Sequence, residues 1–197
     1  GYPVDVVPET LSTRFAAICG ADYEMQCRAS DLNNVLSPSA VLWDDPLLGL
    51  YVRHAELHQE GVLLEAEQNY RALVIALEGH TEARAAGDLN HAWLLARALG
   101  AKVGLARQLI EAYAVRDAHA LADVRRQIPE VLNALRALSD SFRALWLDHN
   151  KPFGLEVLQV RFGGLIARYE ELDARLGDYL TGKIAHIPEL EEVPTGN

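Results

Sequence analysis

Between residues 153 and 181 the apolar side chains recur at alternating steps of three and four, at Leu155, Leu158, Phe162, Leu165, Tyr169, Leu172, Leu176 and Tyr179. Only a helix laid lengthwise on other helices satisfies almost four such heptads, because a 3.5-residue period keeps one stripe on one side of the coil. The same rule runs through 118–148, at Leu121, Val124, Ile128, Val131, Leu135, Leu138, Phe142 and Leu145. Pro129 inside that run removes one backbone hydrogen bond and predicts a kink near Arg126, or a break into two helices in register. Outside the stripe, Arg126, Asn133, Arg136, Asp140 and Arg143 give this helix a wet side.

Two further stripes precede these. Residues 52–77 carry Leu63, Ala66, Tyr70, Leu73 and Leu77, and residues 89–115 carry Leu95, Leu99, Val103, Ala106, Ile110 and Tyr113, with a break between Gly79 and Asp88. Gly100 and Gly104 in the second run each cost about 1 kcal/mol relative to alanine, which predicts compensation by close approach of a neighbouring helix. Asn150 is available as a cap and Pro152 suits a first turn, so the last helix is expected to open there. The fold class that follows is all-α, an antiparallel bundle of about four long helices. Its extent is residues 52–182, after an irregular segment over 1–51 and before an acidic irregular tail over 183–197.

The segment 1–51 is punctuated by Pro3, Pro8, Pro38 and Pro46. It reads as short helices at 9–18 and 22–29 and a short extended piece at 40–43. Its apolar residues, among them Val4, Val6, Val7, Phe15, Ile18, Val41, Leu42, Leu47 and Leu48, look like parts of a core completed elsewhere.

Charge narrows the classes of function. With 18 Lys and Arg against 28 Asp and Glu the net charge is −10, which repels phosphate backbones, and no basic cluster reverses the sign locally. Nucleic acid is therefore not an expected partner. Charged residues interrupt every apolar run well short of the ~20 residues a membrane helix needs, so no membrane is expected either. Cys19 and Cys27 make no disulfide framework in a chain of 197 residues, and no signal segment opens the sequence; reduced thiols and a cytoplasmic setting are expected. The first residue is Gly1 rather than Met, which suits an excised piece.

The polar constellations are weak. No pair of Glu-x-x-His motifs is present for a carboxylate-bridged metal. His54 and His58 stand one helical turn apart, but Ala55 occupies the place of the catalytic Glu in the zinc-protease motif, so no metal ligand and no cofactor is assigned. No phosphate-binding glycine loop and no nucleophile elbow appears. Trp43 next to Asp44 and Asp45 suits a sugar-lining site; equally, Asp45 before Pro46 starts a turn. On the last helix Arg161, Arg168 and Arg175 recur every seven residues beside the stripe, and the opposite side carries Val160, Ala167 and Ala174 next to Gly163 and Gly164. A solvated back is normally rich in Lys and Glu, so these five small or apolar residues are read as a second packing surface.

The run VLWDDPLLGLY and, more specifically, NKPFGLEVLQVRFGGLIARYEELDARLGDYLTGKIAHIPELEE resemble the C-terminal part of bacterial β-N-acetylhexosaminidases of glycoside hydrolase family 20, in the branch whose catalytic (β/α)8 barrel is followed by a helical domain. The resemblance covers residues 37–192. It implies that residues 1–51 correspond to the last portion of the barrel and its exit, with Trp43 and Asp45 as the only sugar-side contacts. It also implies that the bundle packs on its own barrel and supports a homodimer. Enzymes of that family use an adjacent Asp-Glu pair to orient the substrate's acetamido group and protonate the leaving oxygen. No Asp-Glu dipeptide occurs in this chain, so the resemblance implies a non-catalytic domain with no catalytic residue. The alternatives are a stand-alone helical protein-protein interaction domain and, behind it, a small metalloenzyme built on His54 and His58.

Overall fold

A computed structural model describes residues 38–78 and 87–192. These residues form helices and connecting turns: α1 (Pro38–Trp43), α2 (Val52–His58), α3 (Val62–Glu78), α4 (Gly87–Ala114), α5 (Ala118–His149), α6 (Leu155–Leu180) and α7 (Pro188–Glu191). Helices α3 to α6 are the four long ones, and α3 with α4, α4 with α5 and α5 with α6 pack along their lengths. The all-α bundle read from the heptads is the observed fold.

Each stripe faces inward. In α5, Leu121, Val124, Ile128, Val131, Leu135 and Leu138 are buried, and in α6 Leu155, Phe162, Leu165, Tyr169, Leu172 and Leu176 are buried. Helix α5 runs through Pro129 as one element, with Pro129 on its exposed side; the expected break into two helices does not occur. Asp117 starts α5 by accepting hydrogen bonds from the N–H groups of His119 and Ala120 at 2.9 and 3.0 Å, which satisfies two of the orphan donors of its first turn. Helix α4 departs from its expected stripe: Leu99, Val103 and Tyr113 are buried, Leu95, Ala106 and Ile110 are only half-buried, and Leu94, Ala96, Ala98, Leu105, Leu109 and Ala112 are covered instead, because α4 is flanked by both α3 and α5.

Three expectations need correction. The piece at 40–43 is not extended but the body of α1, and Val41, Leu42 and the following Leu47 are buried in the same core as the long helices. The single helix expected over 52–77 is two, α2 and α3. The chain turns at Gly61, whose φ of +83° is left-handed, and the Glu56 carboxylate accepts from the N–H groups of Gly61 and Leu63, satisfying the start of α3. Finally, Asn150 terminates α5, its N–H donating to the Trp146 carbonyl at 2.8 Å, and α6 begins at Leu155 behind Gly154, whose φ of +93° again favours glycine. The Asn150 cap and Pro152 first turn expected for α6 are therefore not made. The helices expected at 9–18 and 22–29, and the apolar residues Val4, Val6, Val7, Phe15 and Ile18, lie outside the described residues.

The compensation sought for the α4 glycines is present. A Cβ on Gly100 would stand 3.1 Å from the Tyr70 Cβ, and one on Gly104 would stand 3.1 Å from the Glu67 Cδ, so α3 crosses α4 against glycine backbone. Gly163 and Gly164 on α6 are the opposite case, since added Cβ atoms there meet nothing within 4 Å. Gly163→Ala is accordingly expected to raise the stability of this chain by about 0.5–1 kcal/mol through helix propensity. Gly100→Ala should return less or lose stability, because two backbone-anchored atoms must separate. Denaturant midpoints of the two variants check the contrast; equal gains would remove the packing explanation for Gly100.

Candidate functional site

The polar centre of the molecule lies where the α1–α2 connection crosses α4 and α6. Lys102, on α4, sits among Ala98, Leu99, Gly100, Ala101, Val103, Gly104, Leu105 and Ala106, and is only 4% exposed. Its Nζ donates to the carbonyls of Leu42 at 2.8 Å and Asp44 at 3.0 Å, so a buried cation terminates α1 where the helix dipole is negative. The ammonium also lies 5.3 Å from the centre of the Tyr169 ring on α6. Burial pushes Lys102 down to about 7, against the opposing pull of Asp44 and Asp45.

Asp44 is equally buried and faces the other way along the connection. Its carboxylate accepts from the N–H groups of Val52 at 2.9 Å and Tyr51 at 3.2 Å, so it starts α2 while its own carbonyl receives Lys102. Burial raises its pKa, and those two N–H groups and Lys102 pull the other way.

Asp45 closes the turn. Its Oδ1 accepts from the N–H groups of Leu47 and Leu48, both at 2.9 Å, and its Oδ2 receives Arg168 Nε of α6 at 2.6 Å. Burial would raise this carboxyl, but Arg168 and the two N–H groups outweigh it and hold it below the ordinary value. Trp43 meets Phe162 edge-on with ring centres 5.0 Å apart, and the Arg161 guanidinium lies 4.3 Å from the Trp43 ring centre. The two residues assigned to the sugar side thus both contact α6. The adjoining cavity, lined by Asp44, Arg53, Lys102 and Tyr169, encloses about 20 Å³, the room of a single water and not of a sugar ring.

Arg53 extends this junction to the end of the chain. Its guanidinium donates to the carbonyl of Leu48 at 3.2 Å, to those of Glu189 at 2.9 Å and Leu190 at 3.1 Å, and to that of Glu192. Tyr113 Oη accepts from the Ile187 N–H at 2.7 Å, and Arg175 pairs with Glu189 at 3.0 Å. Ile187 is fully buried, so the stretch after α6 is pinned by one apolar anchor and three polar clasps.

The five residues read as a second packing surface are all exposed: Val160, Gly163, Gly164, Ala167 and Ala174 lie on one side of α6, away from its buried stripe. Val157 extends that side, 57% exposed beside 73% for Val160, and Phe153, 82% exposed, lies in the turn before α6. The rings of His54 and His58 pack edge to face with centres 4.2 Å apart, and among the described residues no three His, Cys, Asp or Glu side chains converge to hold a metal ion. Among those residues, too, no helix is long and apolar enough to cross a membrane.

Reading the sequence missed Lys102 of α4 and Arg53 of α2. The signal for Lys102 was present, since a lone cation in a stretch that is small or apolar on every side marks a buried helix. Arg53 had no such mark, because its partners are backbone carbonyls at the far end of the chain.

The geometry defines an all-α bundle domain whose buried charges join the ends of its own segments. A family model described as the glycoside hydrolase 20C C-terminal domain matches residues 15–195, and the chain belongs to that family. No curated protein matches the chain.

Proposed function

We propose that this chain is the non-catalytic C-terminal helical domain of a β-N-acetylhexosaminidase-like glycoside hydrolase, packing on the catalytic barrel in the cytoplasm and supporting dimerisation. The observation that carries this reading is the family match over residues 15–195, joined to an all-helical bundle and a sequence without an Asp-Glu dipeptide. The engaged state of Asp44, Asp45 and Lys102 supports it, since groups tied to backbone and to one another beside a 20 Å³ cavity are poorly placed for acid-base work on a sugar. Trp43 and Asp45 enter this reading as residues of the junction with the upstream segment, where any contact with sugar belongs to the full enzyme.

Incubation of the chain with a chromogenic N-acetylglucosaminide should give no turnover, and the barrel-bearing parent should hydrolyse the same substrate by substrate-assisted retention. Hydrolysis by this chain alone would sink the reading. A stand-alone helical interaction domain is the second reading, favoured by the exposed side of α6, which suits a partner helix. The coding sequence upstream of Gly1 separates the two: a barrel there supports the first, and no barrel supports the second.

A further inference from the structure

After α6 the chain turns at Gly182 and runs into α7, a helix of four residues, Pro188–Glu191. One turn cannot hold itself in water, since a helix nucleus fixes more backbone than its first hydrogen bond repays. The body of the bundle supplies what α7 lacks at both ends. At its start the Ile187 N–H donates to Tyr113 Oη of α4 at 2.7 Å, and Pro188 has no N–H that needs a partner. At its end the Arg53 guanidinium of α2 donates to the carbonyls of Glu189 and Leu190 at 2.9 and 3.1 Å and to that of Glu192. These are the carbonyls that a further helical turn would otherwise satisfy.

The side chains of this turn are held one by one. Ile187 is fully buried, and Glu189 pairs with Arg175 of α6 at 3.0 Å. Glu191 accepts from Arg116, just after α4, at 2.7 Å and from Tyr113 Oη at 3.2 Å, and Arg116 holds its carboxyl below the ordinary value. Among the described residues Arg116 is the one non-glycine with a left-handed φ, +54°, at a helix end where glycine is the unstrained choice. Its guanidinium lies 4.0 Å from the centre of the Tyr113 ring. Three arginines from three parts of the bundle thus face a segment bearing Glu189, Glu191 and Glu192, in a chain whose net charge is −10.

The chain's own segment fits this surface incompletely. Arg175 reaches Glu189 through Nη2, while its Nε is buried with no hydrogen-bond partner. Beside Leu190, which is half-buried, a cavity of about 250 Å³ lies among Leu57, Leu109, Ile110 and Tyr113. A carboxylate that engaged both nitrogens of Arg175, and a larger apolar side chain in place of Leu190, would fill what residues 187–192 leave. A segment held by the body alone and fitted imperfectly is one that a better ligand displaces.

We propose that the surface formed by Arg53, Tyr113, Arg116 and Arg175 is a recognition site for a short acidic peptide of another polypeptide, of the pattern Ile-Pro-Glu-apolar-Glu, which residues 187–191 occupy in cis. The incoming peptide sets its isoleucine in the place of Ile187 and its apolar residue in the cavity beside Leu190. The site is independent of the glycosidase reading.

The full chain with a specific protease sequence inserted after Gly182, an exposed turn, is folded intact and then cut. A fluorescent peptide of residues 184–192 should bind the cut chain at least tenfold tighter than the uncut one, where the tethered segment competes at high effective concentration. Arg116→Gln and Arg175→Gln should each weaken that binding several-fold, a peptide with Leu190→Phe should bind several-fold tighter, and a scrambled peptide should not compete. In the unmodified chain an excess of the Leu190→Phe peptide should speed hydrogen exchange at the Ile187 amide, as the segment is released.

Failure of the peptide to enter the cut chain, or unfolding of the bundle on cutting, overturns the inference, since either makes residues 187–192 a fixed part of the fold. Binding indifferent to both arginine substitutions overturns it as well. So does a Leu190→Phe peptide that binds no better than its parent, which removes the cavity from the site and with it the case for a partner in trans. None of these outcomes bears on the turnover assay.

Discussion

Asp44→Ala lowers the stability of the folded chain by about 3–5 kcal/mol, the usual cost of removing one partner from a buried charge pair. The effect combines three losses. The N–H groups of Tyr51 and Val52 lose their acceptor, α2 loses its start, and Lys102 remains buried with its nearest counter-charge gone. For a chain of this length the melting temperature should fall on the order of 10 °C. Asp45→Ala is the internal control: its ion pair with Arg168 is partly solvated, so about 1 kcal/mol is expected. A loss at Asp44 no larger than that at Asp45 would show that the buried centre is not what holds α1 and α2 to the bundle.

The same centre gives a pH signature whose sign follows from burial. Lys102 sits at about 7 in the folded chain against an ordinary value of 10.5. Its burial therefore destabilises the fold fully below pH 7, and this cost is relieved as pH rises from 7 towards 10.5. Asp44, with its pKa raised, adds a cost that appears as pH rises past the ordinary carboxylate range. Lys102→Met should abolish the gain between pH 7 and 10, a change read from denaturant melts at several pH values. The substitution should also lower stability at pH 7, because the carbonyls of Leu42 and Asp44 lose their donor and the Asp44 carboxylate loses its nearby cation.

Phe162→Ala is expected to cost about 3–5 kcal/mol, as large-to-small changes of a buried aromatic do. Phe162 is fully enclosed on α6, meets Trp43 of α1 edge-on at 5.0 Å, and tilts against Phe142 of α5 at 6.2 Å between ring centres. One truncation thus opens a cavity and releases two ring contacts, each about 0.5–1.5 kcal/mol beyond area burial. Urea titration gives the stability, and Trp43 should contribute a shifted emission even where the chain stays folded. A loss below about 1 kcal/mol would mean that the site collapses around the missing ring and that α1 is held by Lys102 alone.

What the sequence carried was periodic. The stripes of α3, α5 and α6 point inward along most of their length, with Phe142, Leu145, Leu158 and Tyr179 only half-buried towards the helix ends, because a heptad repeats one physical requirement many times and a single deviant position does not hide it. The signals lost were the single ones. Glu56 ending one helix and starting the next, Asp44 capping α2, and Arg53 reaching carbonyls at 189–192 are each one side chain answering one set of backbone groups. Nothing in the neighbouring residues repeats them. The pair Asp44-Asp45 drew notice for its charge, yet the two carboxylates do different things: one is buried beneath a cation, and the other closes a turn against α6. Their division depends on where Lys102 and Arg168 stand, far away in sequence. The small residues on the back of α6 were legible as unusual, and the structure leaves them exposed.

The four carbonyls gathered by Arg53 also tie two distant parts of the chain together. The stretch at 48–53 leads into α2 and 189–192 follows α6, and a single guanidinium fastens one to the other. Residues 48–53 and 189–192 therefore share one pole of the bundle.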